Sequence, residues 1–363
     1  MKRIIVSVNN DFSTDQRVQK VCNTLINNNF EVLVIGRKKT KTLKLKLPYK
    51  VLKFNLVFNR GMLSYAEFNT RLFFKLFFSK KDVLLANDLD TLLPNFIISK
   101  LFNIKLVYDS HELFSELPEL INRPFKQKIW LTIEKLIVPN LKNTYTVNNS
   151  IANFYNKLYK TDFKVVRNFP KAQLSIAKSK LNFNPNDKKL IIYQGAINKG
   201  RGLELIIETM QYLNNALLLI IGSGEIETDI KKEVEKHKLT NVKLISRVLP
   251  SELKKITPLA DLGISIEEDL GLNYRYALPN KIFDYVQAEV PVLVSDLPEM
   301  SAIIKKYKIG QVVNNRTPKK LALQIDILLN SKNKYLKQLK TAKKELIWEN
   351  EEKQLIEIFN NLV

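Results

Sequence analysis

Short apolar runs rich in β-formers alternate with stretches of helical periodicity, and this alternation passes through the chain twice. Residues 4–8 are apolar; Val18, Val21, Cys22, Leu25 and Ile26 then recur on one helix face. Asn27, Asn28 and Asn29 break that helix, and 30–35 resumes the β pattern. Further strands are expected at 83–86, 105–108, 144–147 and 164–166. The pattern lapses across 168–189, a candidate linker where Pro170, Asn182, Pro185 and Asn186 lie among polar residues. It restarts with a strand at 190–193 and a helix face of Leu203, Ile206, Ile207, Met210 and Leu213. Strands at 217–221, 242–245, 262–266, 292–294 and 311–313 complete the second set. Such spacing belongs to parallel sheets covered by helices on both faces. The fold class is therefore α/β, in two similar halves, with a ligand cleft expected at the carboxyl ends of the strands.

At 363 residues the chain exceeds what one core usually supports, in agreement with two halves. One cysteine excludes an intramolecular disulfide framework, and two histidines leave a structural zinc site without ligands. The opening apolar run is broken by Asn9, Asn10 and Asp11, so it reads as a strand and not a secretory signal. No stretch approaches the roughly 18 apolar residues that span a membrane, so a cytoplasmic protein is expected. The formal charge of +22 fits nucleic acid, anionic lipid, a phosphorylated substrate or a lysine-rich background. Residues 37–53 hold eight basic residues and no acidic one. There Leu43, Leu45 and Leu47 alternate with Lys44 and Lys46, either as an edge strand with a solvated face or as a membrane contact. The phenylalanine-rich run 65–78 likewise reads as a buried helix or as one lying on anionic lipid.

Several constellations can carry chemistry. Gly195, Lys199, Gly200, Arg201 and Gly202 lie between a strand and a helix, where glycines admit an anion close to the backbone. A guanidinium such as Arg201 can grip a diphosphate through paired bonds. Gly222-Ser223-Gly224 after the next strand is either phosphate-facing or a tight turn. Pro279 can open a helix that carries Lys281 and Asp284 one turn apart. His111 follows a strand end and has a pKa suited to acid–base work. Asp15 reads as the cap of the helix that Arg17 begins. Asp88 and Asp90 form an Asp-x-Asp pair that could hold a divalent cation, although phosphate-binding candidates fall in the other half, so no metal is expected.

The stretch from Leu278-Pro279-Asn280-Lys281 to Pro291-Val292 resembles the family 4, or group 1, glycosyltransferases, and the likeness runs over nearly the whole chain. It implies a GT-B fold, two Rossmann-like domains facing across a cleft, with the C-terminal helix packing back on the N-terminal domain. The domains implied are 1–170 with about 347–363 on the acceptor side, and 171–346 for the nucleotide sugar. Counting back from Pro291 places Asp284 at the second of the family's two spaced glutamates, which binds ribose; the first falls on Tyr276. Arg201 aligns with a basic residue that holds the donor diphosphate. The family's other cation has no match at Ala196, where Lys199 is expected to compensate. Gly195, Gly200, Gly222, Val248, Asn280 and Lys281 complete the implied donor site, with Val248 in the loop beside the nucleobase. His111 is implied to position the donor sugar and stabilise charge; Asp15, Arg17 and Asp88 are placed toward the acceptor.

The activity implied is retaining, metal-independent transfer from a nucleotide-diphosphate sugar, without a cofactor. The acceptor implied is a glycan or polyprenyl-linked intermediate of cell-surface polysaccharide synthesis, met at the inner face of the cytoplasmic membrane. Two rivals remain: a basic nucleic-acid-binding protein, which lacks any recognisable nucleic-acid motif, and a GT-B nucleotide-sugar epimerase.

Overall fold

The structure, a computed structural model, describes residues 1–38, 46–121, 123–173 and 187–362. It divides into two compact units, one of Met1–Asn168 with Trp348–Val363 and one of Phe169–Ile347. Most of the candidate linker falls on 174–186, outside the described residues.

Unit 1 holds seven parallel strands: β1 (Arg3–Ser7), β2 (Glu31–Arg37), β3 (Lys50–Phe54), β4 (Val83–Asn87), β5 (Lys105–Ser110), β6 (Asn143–Thr146) and β7 (Lys164–Val165). Their order is β3-β2-β1-β4-β5-β6-β7, with Ile4 of β1 opposite Val32 and Val83. Unit 2 holds β8 (Lys189–Ala196), β9 (Ala216–Ser223), β10 (Val242–Ile245), β11 (Leu262–Ser265), β12 (Val292–Val294) and β13 (Gly310–Val312), ordered β10-β9-β8-β11-β12-β13. In each sheet the strand order reverses beside the first strand, and there the carboxyl ends open a crevice. The expected strands are all present. The basic alternation at Leu43 and Leu45 lies outside the described residues; the edge strand of this sheet is β3, paired in parallel with β2.

Both faces of the second sheet are covered, which explains the unbroken apolar runs. Leu190, Ile192, Leu217 and Leu219 point into one core, while Ile191, Tyr193, Leu218 and Ile220 point into another. The helix Leu203–Met210 lies on the second of these, and Leu213 joins it from the turn beyond.

In unit 1, α1 (Gln16–Asn27) starts from Asp15, whose side chain accepts from the Val18 N–H as expected of a cap. The aromatic run belongs to α2 (Gly61–Phe77), which packs against α3 (Leu89–Phe102). The run is divided: Phe68, Leu72 and Leu76 are buried, while Phe74, Phe77 and Phe78 are exposed. No helix among the described residues is long and apolar enough to cross a membrane.

The last helix, Trp348–Asn360, returns to unit 1 and buries Trp348, Leu355 and Phe359 among Val18, Val21, Leu25 and Phe30. Trp348 Nε1 donates to Thr24 Oγ1 at 3.0 Å, and Thr24 donates onward to Glu352 at 2.6 Å. Trp348→Ala removes the largest of these side chains and should lower the stability of unit 1 by about 3–5 kcal/mol. Denaturant unfolding checks this; an unchanged midpoint would mean the helix is not docked.

Candidate functional site

Unit 2 gathers most of the candidate residues where β8 and β11 end. After Ala196 the chain turns through Gly200, Arg201 and Gly202 into the helix Leu203–Met210. Gly202 has φ 72°, and a side chain there would strike the Ile266 carbonyl oxygen, so this turn requires glycine. Gly222 pairs with Gly195 across β8 and β9, and a Cβ on it would meet the Gly195 carbonyl. The helix Asn280–Gln287 follows extended Pro279 and brings Lys281 and Asp284 to the end of β8.

Three charged side chains converge there. Lys281 Nζ lies 3.0 Å from Glu267 Oε1 and 3.9 Å from the centre of the Tyr193 ring. Arg201 Nη1 approaches the same oxygen at 3.8 Å, with its guanidinium over Tyr274. Glu267 is fully buried and accepts a third contact from Ser265 Oγ at 2.8 Å. Burial pushes the Glu267 carboxyl up, but Lys281, Arg201 and Ser265 outweigh it and hold it below its ordinary value. Burial, opposed by Glu267 and aided by Arg201, lowers the Lys281 ammonium.

Two cations therefore share one buried carboxylate. Arg201 keeps an open side: its side chain is 29% exposed, and its buried Nε has no partner among the described residues. An anion placed there would receive a charge-assisted bond. Arg316 braces the loop by donating to the Ile266 carbonyl at 3.0 Å and to Ser295 Oγ at 3.0 Å. A cavity of about 230 Å³ adjoins this group and is lined by Glu267, Glu268, Asp269, Ser295, Asp296 and Arg316, so carboxylates outnumber cations on its wall.

Asp284 Oδ2 accepts from Gln194 Nε2 at 3.0 Å, and Gln194 accepts in turn from Thr257 at 2.8 Å. Lys199 is exposed and stands apart from the charged trio; its backbone oxygen accepts from the Tyr274 hydroxyl. Lys281 Cε lies 3.5 Å from where a Cβ on Gly195 would stand, one residue before Ala196. Asn280 is exposed at the start of its helix, Val248 lies half-buried in the loop after β10, and Tyr276 ends the short helix Leu272–Arg275. Glu267, Gln194, Tyr193 and Arg316 were not singled out by spacing. A carboxylate directly after a strand end was the available signal for Glu267.

Unit 1 has its own charged group at the ends of β4 and β5. His111 Nδ1 lies 3.1 Å from Asp88 and Nε2 lies 3.1 Å from Asp109, while its backbone N–H donates to Asp88 at 2.8 Å. Burial pulls the imidazole down, but the two carboxylates overcome it and raise its pKa well above the ordinary value. Both ring nitrogens thus face carboxylates, an arrangement that favours the protonated ring.

The expectation that Arg17 faces a ligand is corrected. It is 3% exposed, its Nε and Nη2 donate to both oxygens of Asp109 at 2.9 and 2.7 Å, and Nη1 donates to the Val166 carbonyl. A buried carboxylate needs such a partner, and Asp109 takes the Nε–Nη2 edge of the guanidinium while the Val166 carbonyl takes Nη1. Burial raises Asp109, but Arg17 and His111 bring it down to about 2. Asp15 remains half-buried, holding Asn10 as well as its helix.

Asp90 behaves in the opposite way. Burial and the Asp88 charge push it up to about 8, against the bond donated by Asn9. The folded chain thus holds this proton up to about pH 8, whereas the unfolded chain releases it near pH 3.9. Stability contributed by the bound proton is complete below the lower value and is lost as pH rises through the upper one. Asp90→Asn should match the parent near pH 4 and surpass it above pH 8, in melting temperatures measured against pH. Parallel curves would show that another group titrates.

Comparisons with known proteins follow the same division. Residues 176–345 match the family described as "Glycosyl transferases group 1". A chitobiosyldiphosphodolichol beta-mannosyltransferase from Candida albicans is 25% identical over 239 residues, 59% of this chain and 51% of that protein. The chain thus spans about half the length of the curated relative it matches. Sucrose-phosphate synthase from Thermosynechococcus elongatus superposes with a TM-score of 0.81 at 13% identity, covering 100% of this chain and 99% of the other. WaaG, a glycosyltransferase involved in lipopolysaccharide biosynthesis, gives 0.73 at 14%, covering 98% and 99%. Anabaena HepE in complex with UDP-glucose gives 0.73 at 11%, covering 99% and 100%. At these identities the superpositions establish the fold alone. Over residues 176–345 the chain is thus similar to the group 1 glycosyl transferases, and it has the GT-B fold of two Rossmann-like domains.

Proposed function

We propose that this chain transfers a sugar from a nucleoside-diphosphate sugar to a glycan or lipid-linked acceptor, with retention at the anomeric carbon and without a metal. The observation that carries this reading is the corner of unit 2 where Arg201 and Lys281 share Glu267 and the buried Nε of Arg201 has no partner among the described residues. A leaving diphosphate gains negative charge as the anomeric C–O bond breaks and the electron pair departs with the phosphate. Cations already fixed at that point stabilise the charge without reorganising, which is the large term in such catalysis.

In this reading Arg201 grips the diphosphate and Lys281 replaces the cation absent at Ala196. Glu267 holds both cations in place. Lys199, exposed at the loop, contributes long-range charge. Gly195, Gly200 and Gly222 let phosphate oxygens reach the backbone, Val248 borders the base, and Asn280 stands at the helix start. Asp284, oriented by Gln194, receives the ribose hydroxyls. His111 offers a fixed positive charge to the donor sugar, with Asp88 orienting it; Asp15 shapes the adjoining loop. The acceptor oxygen bonds to the anomeric carbon on the face the diphosphate leaves and gives its proton to the departing phosphate.

The first domain serves the acceptor and the second the nucleotide sugar, and no cofactor takes part. The Candida albicans relative is named for a mannosyl donor group and a diphosphodolichol acceptor, which makes mannose and polyprenyl-type lipids the first substrates to try. A place in cell-surface polysaccharide synthesis, on the inner face of the cytoplasmic membrane, suits such an acceptor.

Calorimetric titration with nucleosides and their diphosphates tests the site. Arg201→Ala should weaken the diphosphate about tenfold to a hundredfold and leave the nucleoside unaffected; equal losses for both would reject the assignment. Stereochemistry is read separately. The relative's name specifies a β-linked product, so nuclear magnetic resonance of the product from an α-linked donor decides between the outcomes. We expect an α-linked product at a rate unchanged by chelator, and a β-linked product would overturn retention.

A further inference from the structure

Unit 1 carries an apolar surface that neither core nor charged site accounts for. On α2, Phe68, Leu72 and Leu76 fill the interior, so the aromatics between them fall outside. Phe74 is 55% exposed and Phe78 is 80% exposed. Neighbouring rings touch in a continuous line: Phe73 to Phe74 at 5.5 Å, Phe77 to Phe78 at 5.1 Å, and Phe77 to Phe102 of α3 at 5.2 Å. On α3, Leu93, Ile97 and Leu101 recur every fourth residue and are all exposed, although Leu92 and Ile98 already bury the inner side. A contiguous patch of this kind marks an interaction surface, whereas single exposed apolar residues do not.

Its charge says what covers it. Residues 71–81 and 93–105 contain Arg71, Lys75, Lys80, Lys81, Lys100 and Lys105 and no acidic residue. Lys81 Nζ sits 4.5 Å from the centre of the Phe102 ring, and Lys100 Nζ lies 5.3 Å from that of Phe96. Long lysine stems can lie along apolar rings while their ammonium groups reach outward. A second copy of the chain would bring like charges together, so the basic rim disfavours self-association. Position in the fold agrees: α2 and α3 end where the chain enters the amino ends of β4 and β5, opposite the strand ends that carry Asp88 and His111.

We propose that the α2–α3 face docks unit 1 on an anionic lipid bilayer, with the phenylalanines seated at the boundary of headgroups and acyl chains and the lysines on lipid phosphates. The proposal is independent of which sugar or nucleotide the second unit holds.

Sedimentation of the full chain with vesicles provides the test. The parent chain should bind phosphatidylcholine vesicles containing phosphatidylglycerol, bind phosphatidylcholine alone far less, and lose affinity as salt rises. Phe74→Ser with Phe78→Ser should weaken binding at least about tenfold, and Lys80→Glu with Lys100→Glu at least about twentyfold, near fivefold for each lysine removed. These side chains are exposed, and the same variants should titrate nucleoside diphosphate as the parent does, which separates failure here from failure of the donor site. Equal binding to both vesicle types, no binding, or variants that bind like the parent would each overturn the proposal. So would light scattering in which the phenylalanine variant converts an oligomer to a monomer, since the face would then be a protein contact.

Discussion

Glu267 is a carboxylate sealed from solvent, and two cations from distant parts of the chain meet on it. Neither ammonium nor guanidinium could occupy so dry a corner unaided, because a lone buried charge is driven to neutralise or to move. One carboxylate can hold both but cannot cancel both. Both cations are thereby fixed at the ends of β8 and β11. The helix Asn280–Gln287, the glycine turn at Gly202 and the brace from Arg316 can all be understood as means of holding three side chains around one oxygen pair.

Unit 1 reaches a similar economy by a different arrangement. Arg17, Asp109, His111 and Asp88 alternate in sign along an unbroken series of contacts, so each burial cost is met by a neighbour. Asp90 lies just beyond the last member, where burial and the Asp88 charge outweigh the bond from Asn9 and the pull of His111 and push it up to about 8.

Much of the fold was legible from the sequence because parallel strands buried on both faces must be apolar throughout, and glycine, asparagine and proline punctuate their ends. Residues 190–193 and 217–221 show this plainly, and their neighbours feed two cores in strict alternation. The cap at Asp15 was legible for the same local reason. Arg17 was not: nothing in a helix start reveals that its guanidinium turns inward to a carboxylate 92 residues away. Glu267 escaped because spacing was counted along the segment before Pro291, where Tyr276 stands. The carboxylate that holds the cations comes instead from the neighbouring strand and meets Lys281 only once the sheet has formed. Local rules find strands and caps, whereas charge pairing across a sheet is a property of topology.

The final helix has a consequence for how the molecule is made. Trp348 and Phe359 complete a core whose other members, Val18, Leu25 and Phe30, leave the ribosome some three hundred residues earlier. During synthesis the first unit must wait, with that groove uncovered, while the entire second unit emerges and can settle. Emergence of the last helix, not the order of the domains, sets the moment at which the first unit closes.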